Sequence, residues 1–347
     1  MKLALVVPAP FTAVSGGYAY DRRIVAGLVA RGHAVRVIEL AGRFPLPDAA
    51  AEAAAWQALA ERPDDETMLI DGLALPAFAR FADAVETAGA AGLIHHPTPL
   101  ETGFSDAEAA LLREKEAAVL PVLARAIATS RTTARQLAAL GVAEARIAVV
   151  EPGTDEAPRA EGSRAAGCAI LSVGAAVPRK GHDLLLRALG RLADLDWRLT
   201  IVGALDRDRA YAAALAALAE ELGIAARVTF AGEVSEAALE TLWHGTDLFA
   251  LATWHEGYGM AVAEALKRGI PVALTAGGAV ADLAPPEASV LVPTGEWTAL
   301  SRAMRRLIFD GELRRRMADH AFEAGRKLPS WEAQADAFAA ALARAAS

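Results

Sequence analysis

Residues 248–274 read LFALATWHEGYGMAVAEALKRGIPVAL. A short apolar run, Leu248 to Ala252, gives way to a turn holding Glu256, Gly257, Tyr258 and Gly259. An amphipathic helix follows, and Gly269-Ile270-Pro271 returns the chain to a second apolar run ending at Leu274. Apolar runs of four to eight residues bounded by turn signals fit buried strands, and strand, helix, strand in that order fits a parallel sheet covered by helices.

The same alternation extends in both directions. In the first half, strands are predicted at Lys2 to Val7, Ala34 to Leu40, Thr67 to Ile70, Gly92 to His95, Ala126 to Thr129 and Arg146 to Val150. Helices are predicted between them, over Tyr18 to Ala30, Asp48 to Glu61 and Asp106 to Leu120, the last opened by a capping box of Ser105 and Glu108. After Pro152-Gly153-Thr154, a polar stretch from Asp155 to Arg164 reads as a linker. Strands then recur at Ala169 to Val173, Arg198 to Val202, Arg227 to Phe230, Leu248 to Ala252, Pro271 to Leu274 and Ser289 to Val292. The expectation is an α/β chain of two doubly wound, Rossmann-like domains, residues 1–155 and 156–330, with ligand between the carboxyl ends of their sheets.

Length agrees, since 347 residues is roughly twice what one core accommodates. Hydrophobic content of 54% and charged content of 22% describe a folded rather than a disordered chain. Lys+Arg 35 against Asp+Glu 43 leaves a net charge of −8, which gives no counterion-release drive toward nucleic acid. The single cysteine, Cys168, cannot close an internal disulfide, so a reducing, cytoplasmic setting is expected. The apolar start breaks at Pro8 and Pro10 and reads as a first strand rather than a signal peptide. No apolar run approaches the roughly 18 residues of a membrane span, so any membrane contact is expected to be peripheral, at the inner face.

The turn at residues 255–259 is where chemistry is expected. Glycines there open backbone amides toward a ligand, and with the positive end of the following helix they attract a phosphate or a sugar hydroxyl. Glu264 lies roughly 8 Å further along the helix at 1.5 Å per residue, too far from Glu256 to share a proton but well placed to grip another part of one long polyhydroxyl ligand. Its helix is mostly apolar, and a carboxylate on such a helix needs a partner.

His255 to Val272 resembles the Glu-(seven residues)-Glu signature of retaining GT-B glycosyltransferases, specifically the large family 4. The resemblance extends through Gly232 to Ser235, Asp247 to Phe249, Val149 to Asp155, and Val173-Gly174 followed by Pro178-Arg179-Lys180-Gly181. It implies that Glu256 holds hydroxyls of the donor sugar, with Gly257, Tyr258 and Gly259 beside it, and that Glu264 binds the ribose. Arg179 and Lys180 would neutralise the diphosphate, the backbone around Glu233 and Val234 would meet the base, and Gly16-Gly17, read at the end of the first strand, would let backbone approach the diphosphate. Lysine occurs only at positions 2, 115, 180, 267 and 327, so its retention beside Gly181 in an arginine-rich chain adds weight to Lys180. One departure is Ala175, where the family usually has arginine, and Arg179 would supply that charge.

His95-His96-Pro97 closes a strand. A histidine pair suggests metal, but no nearby Asp/His set in the sequence completes a site around it, and the family implies none. By resemblance one of the two, His95 fitting slightly better than His96, contacts the transferred sugar or the acceptor. Tyr18, Tyr20, Asp21, Arg22 and Glu101 are expected in loops or first helical turns that recognise the acceptor.

The implied activity is retaining transfer of a sugar from a nucleotide-diphosphate sugar to an acceptor hydroxyl by front-face displacement, without cofactor. Two rivals are a non-catalytic nucleotide-sugar-binding protein and, from another class, an NAD-dependent oxidoreductase. Against the latter, Ser15-Gly16-Gly17-Tyr18 replaces a Gly-x-Gly-x-x-Gly. Finally, Pro329 must end one helix and Ser330 can cap another, Trp331 to Ala345. Trp331, Ala335, Phe338 and Leu342 recur on one face, and the resemblance implies that residues 331–347 cross back onto the first domain.

Overall fold

Buried apolar strands organise the chain into two units, Met1–Gly153 with the chain from Pro329 onward, and Thr154–Leu328. The computed structural model describes residues 1–101 and 103–343.

The first unit contains a parallel sheet of β1 (Lys2–Pro8), β2 (Ala34–Leu40), β3 (Thr67–Asp71), β4 (Ala91–Ile94), β5 (Arg125–Ala128) and β6 (Ile147–Val149), in the order β2-β1-β3-β4-β5-β6. Strands β1, β3 and β4 are covered on both faces, which is why they read as continuous apolar runs rather than alternating ones. Strand order reverses between β1 and β3, leaving a crevice at their carboxyl ends.

The second unit repeats the design with β7 (Cys168–Val173), β8 (Trp197–Val202), β9 (Val228–Gly232), β10 (Leu248–Leu251), β11 (Val272–Thr275) and β12 (Ser289–Val292). Its order is β12-β11-β10-β7-β8-β9, with the reversal between β7 and β10. Its core joins Ile170, Trp197, Leu199 and Ile201 to the His182–Gly190 helix.

Local signals formed as their chemistry dictates. Ser105 and Glu108 make the reciprocal capping box. The first helix, Gly16–Ala30, begins where Ser15 Oγ accepts from Tyr18 N at 3.1 Å. Gly16 and Gly17 therefore lie in a first helical turn rather than at the end of β1, a correction that follows from this cap.

The polar stretch from residue 155 is a bound strap rather than a free linker. Ala160 N donates to Arg268 O, and Glu161 N and Gly162 N donate to His244 O, at 2.9 to 3.1 Å. Lys267 Nζ donates to Glu156 at 2.6 Å, and the Arg159 guanidinium lies over the Phe322 ring.

The helix Trp331–Ala343 is part of the first unit. Arg344 and Ala345, where the sequence reading extends it, lie outside the described residues. Among the described residues no helix is long and apolar enough to cross a membrane.

Candidate functional site

Two turns interlock at the β7/β10 reversal of the second unit. After β7 the chain makes a tight turn through Pro178–Lys180 into Gly181, whose φ of 61° is left-handed. After β10 it passes through Thr253 to Glu256. Trp254 N donates to Arg179 O at 2.8 Å, and Arg179 Nη1 donates to His255 O at 2.7 Å. Glu256 is anchored by its own backbone, its N donating to Gly277 O and its O accepting from Ala279 N.

This crossing brings Glu256 and Lys180 together. Lys180 Nζ donates to Glu256 Oε1 at 2.7 Å, Thr253 Oγ1 lies 3.0 Å from the same oxygen, and Arg179 Nη1 is 3.6 Å away. Glu256 is only 8% exposed. Burial opposes its ionisation, but the Lys180 charge, then the Arg179 charge and the bonds from Lys180 and Thr253, hold it below the ordinary carboxylate range. The Lys180 stem lies over Gly174, where a Cβ would sit 3.1 Å from its Cδ and Cε.

A side chain at Gly181 would place Cβ 2.0 Å from the Ala252 carbonyl oxygen, in a backbone region L-residues avoid. Gly181→Ala is therefore expected to cost at least ~1–3 kcal/mol through backbone strain alone. A drop in melting temperature would register it; wild-type melting would place the turn elsewhere.

The other predicted residues of this unit distribute as follows. Glu264 is half-buried on the helix Met260–Lys267, as its apolar surroundings suggested. Gly257 and Tyr258 fill the turn, and Gly259 precedes the helix with φ 104°. Glu233 and Val234 form the turn after β9, leading to the Ser235 cap. Ala175 sits in the loop following β7, on which sequence reasoning missed a support. His182 is buried, with Nε2 3.3 Å from Gly174 O, and burial pushes its imidazole down to about 4, so it stays neutral beneath that loop.

In the first unit the histidine pair divides. His96 Nε2 lies 2.6 Å from Glu101 Oε1, whereas His95 Nε2 lies 3.0 Å from Asp21 Oδ1 and 3.7 Å from Asp71 Oδ2. The expectation that no Asp/His set gathers around the pair is thus corrected, since donor atoms of Asp21, Asp71 and His95 all fall within 4.8 Å of one another. Topology, not sequence spacing, assembles them at the β1/β3 reversal; Asp71, the last residue of β3, was missed. Two proposed acceptor contacts are corrected too. Tyr18 and Tyr20 are buried, their hydroxyls donating to Pro8 O and Val150 O, because the helix carrying them turns that face inward. Arg22 braces the loop before its helix through Phe11 O and Ala13 O.

Against this geometry, residues 154–324 match the family model described as glycosyl transferases group 1. This segment belongs to the group 1 glycosyl transferases. It covers nearly all of the second unit and both interlocked turns. Among curated relatives, the D-inositol 3-phosphate glycosyltransferase of Mycobacterium avium is 37% identical over 166 residues, 44% of this chain and 39% of that protein. The chain thus spans well under half the length of that relative. Among solved structures, sucrose-phosphate synthase from Thermosynechococcus elongatus superposes with a TM-score of 0.83 at 20% identity, covering all of both chains. Anabaena Alr3699/HepE, solved with UDP and glucose, gives 0.76 at 18% identity over 99% of both. These likenesses establish the fold, which is of the GT-B class expected from the sequence.

Proposed function

We propose that the protein is a retaining glycosyltransferase that moves a sugar from a nucleotide-diphosphate sugar to an acceptor hydroxyl. The observation that carries this reading is the pairing of Lys180 with the buried Glu256 carboxylate, with Arg179 beside it, at the strand-order reversal of a group 1 glycosyl transferase segment. A neighbour of the same fold solved with UDP and glucose supports a nucleotide-sugar donor.

In this reading Lys180 and Arg179 face the diphosphate, Glu256 takes hydroxyls of the donor sugar, Glu264 takes the ribose, and the turn at Glu233 and Val234 meets the base. The first unit, through His95, is assigned the acceptor or transferred sugar. Without ligand, Glu256 and Lys180 neutralise each other. An incoming donor offers each a new partner at once, phosphate for the ammonium and hydroxyls for the carboxylate, so binding of the two ends of the donor is coupled. The departing phosphate accepts the acceptor's proton on the same face of the sugar, and Lys180 and Arg179 stabilise the charge that develops on it. Arg179, within reach of this charge, compensates for Ala175.

Incubation with UDP-, GDP-, ADP- and dTDP-sugars tests the proposal. The correct donor at 100 times its dissociation constant should stabilise by about 2.7 kcal/mol, and NMR of the product should show the donor's anomeric configuration retained. Stabilisation without turnover would leave a binding protein, and an inverted product would remove the retaining mechanism. We further propose that transfer needs no metal, so dialysis against EDTA should leave the rate unchanged.

The two glutamates should fail differently. Glu256→Gln is expected to lower kcat about 100-fold, because it engages the reacting sugar, whereas Glu264→Ala should raise KM for the donor about tenfold with kcat little changed. The same change in both parameters for both variants would refute the division of roles.

A further inference from the structure

The carboxylates around His95 remain unexplained by this assignment. Asp21 and Asp71 are each 1% exposed, and one oxygen of each, Oδ2, is buried without a hydrogen-bond partner. The other oxygen of Asp71 accepts from Leu73 N at 2.9 Å, and that of Asp21 meets His95 Nε2. Two buried carboxylates this close are costly to ionise together, and a shared proton on the intervening imidazole relieves them.

The residue is held by several neighbours. The Tyr20 ring packs nearly perpendicular to the imidazole, with centroids 5.4 Å apart and planes at 85°. Gly17 leaves the space the imidazole needs, since a Cβ there would lie 3.2 Å from His95 Cδ2. The His95 carbonyl accepts from Thr129 Oγ1 at 3.1 Å and Thr133 Oγ1 at 3.0 Å. The side chain keeps 18% of its surface exposed. With Nε2 committed to the carboxylates, Nδ1 has no hydrogen-bond partner among the described residues.

We propose that Asp21 and Asp71 are positioning residues for His95: they keep Nε2 protonated and turned inward, so that Nδ1 is the atom offered to a hydroxyl of the sugar or acceptor. The role of Nδ1 toward a ligand rests on the functional reading above, while the arrangement of the three side chains does not.

The charge balance of the cluster supports the assignment. Burial works against the imidazolium, but the charge and hydrogen bond of Asp21, then the charge of Asp71, hold His95 above the ordinary histidine value. Asp71 is pushed up to about 7, by burial first and by the Asp21 charge second. The titratable groups facing the ring are Asp21 and Tyr20 from the helix Gly16–Ala30 and Asp71 from β3, while His96, next along the chain, turns to Glu101. Below its pKa His95 donates through Nδ1; above it, Nδ1 accepts.

Nitrogen-15 spectra of the histidine side chains in the full-length protein test this, with the His95 signals assigned by His95→Gln. Above the His95 midpoint the expected wild-type pattern is a neutral ring protonated on Nε2. Its titration midpoint should fall by about one unit in both Asp21→Asn and Asp71→Asn, which keep shape and remove charge. A neutral ring protonated on Nδ1 alone in the wild type, or an unchanged midpoint in the variants, overturns the proposal. Should one variant fail to fold, the other and the wild-type tautomer still decide it. In transfer assays the variants should lower kcat about tenfold at neutral pH with KM for the donor within twofold, the loss of one charge-assisted hydrogen bond. Equal losses at all pH values would reduce the carboxylates to structural residues. A wild type without transferase activity would refute the functional reading while leaving the spectroscopic result to stand or fall separately.

Discussion

Lys180→Ala is expected to destabilise the second unit by about 3 kcal/mol, and adding Glu256→Gln should restore most of that stability while restoring no activity. The single change removes the ammonium 2.7 Å from a carboxylate that is 8% exposed, leaving a buried charge. Losing one partner of a buried pair usually costs ~3–5 kcal/mol, and the low end applies here because Arg179 remains 3.6 Å from the same oxygen. In the double variant a neutral amide replaces the stranded charge.

The pH dependence has a definite sign. In the wild type, Glu256 is held below its ordinary value, so the pair's contribution is fully present above that value and is lost as pH falls through the folded one. Without Lys180, burial moves Glu256 upward and the carboxyl escapes by taking up a proton. The stability gap between Lys180→Ala and wild type should therefore narrow as pH falls through the glutamate range. Denaturant melts at neutral and mildly acid pH measure both effects, and a gap that is absent, or that widens with acid, would mean the pair is not the strut described here.

The Lys180–Glu256 contact also shows where sequence reading stops. Each residue was legible by itself, Glu256 from the turn after an apolar strand and Lys180 from its rarity beside a glycine. Their bond was not, because 76 residues separate them and only the placement of β10 beside β7 joins their loops. Strands were legible because those buried on both faces leave nothing but apolar residues to read. Asp71 was invisible for the complementary reason: one acid ending a strand looks like a turn residue until its neighbours are known to be Asp21 and His95. Tyr18 and Tyr20 were misplaced because the face a first helical turn buries depends on what it packs against. The strap from residue 155 reads as a linker because the backbone carbonyls that hold it, His244 O and Arg268 O, leave no trace in residue type. Chemistry written in residue types at short spacing was readable; chemistry assembled by tertiary structure was not.

Phe338→Ala is expected to cost the first unit ~3–5 kcal/mol, and truncation before Pro329 more, with the proposed nucleotide binding by the second unit unchanged in Phe338→Ala. Phe338 and Ala335 are fully buried and Trp331 and Leu342 nearly so, forming the face that their spacing predicted. That face meets the first helix closely at Gly27, where a Cβ would come within 2.5 Å of Ala335 Cβ. Polar contacts fix the register, Arg31 pairing with Asp336 and donating to Glu332 O at 2.6 Å, while Tyr20 and Arg23 both pack on the Trp331 ring. Because Tyr20 stands between Trp331 and His95, loosening the terminal helix should also reach the His95 ring. A second variant separates packing from mere loss of apolar surface. Gly27→Val adds apolar volume, yet it should destabilise the first unit by forcing the two helices apart, typically by ~1–3 kcal/mol for overpacking. Melting of the first unit and titration of a nucleoside diphosphate measure the two halves independently. If Gly27→Val melts like the wild type, the helices do not cross at Gly27. If Phe338→Ala weakens nucleotide binding as strongly as it lowers melting, the terminal helix supports the second unit instead.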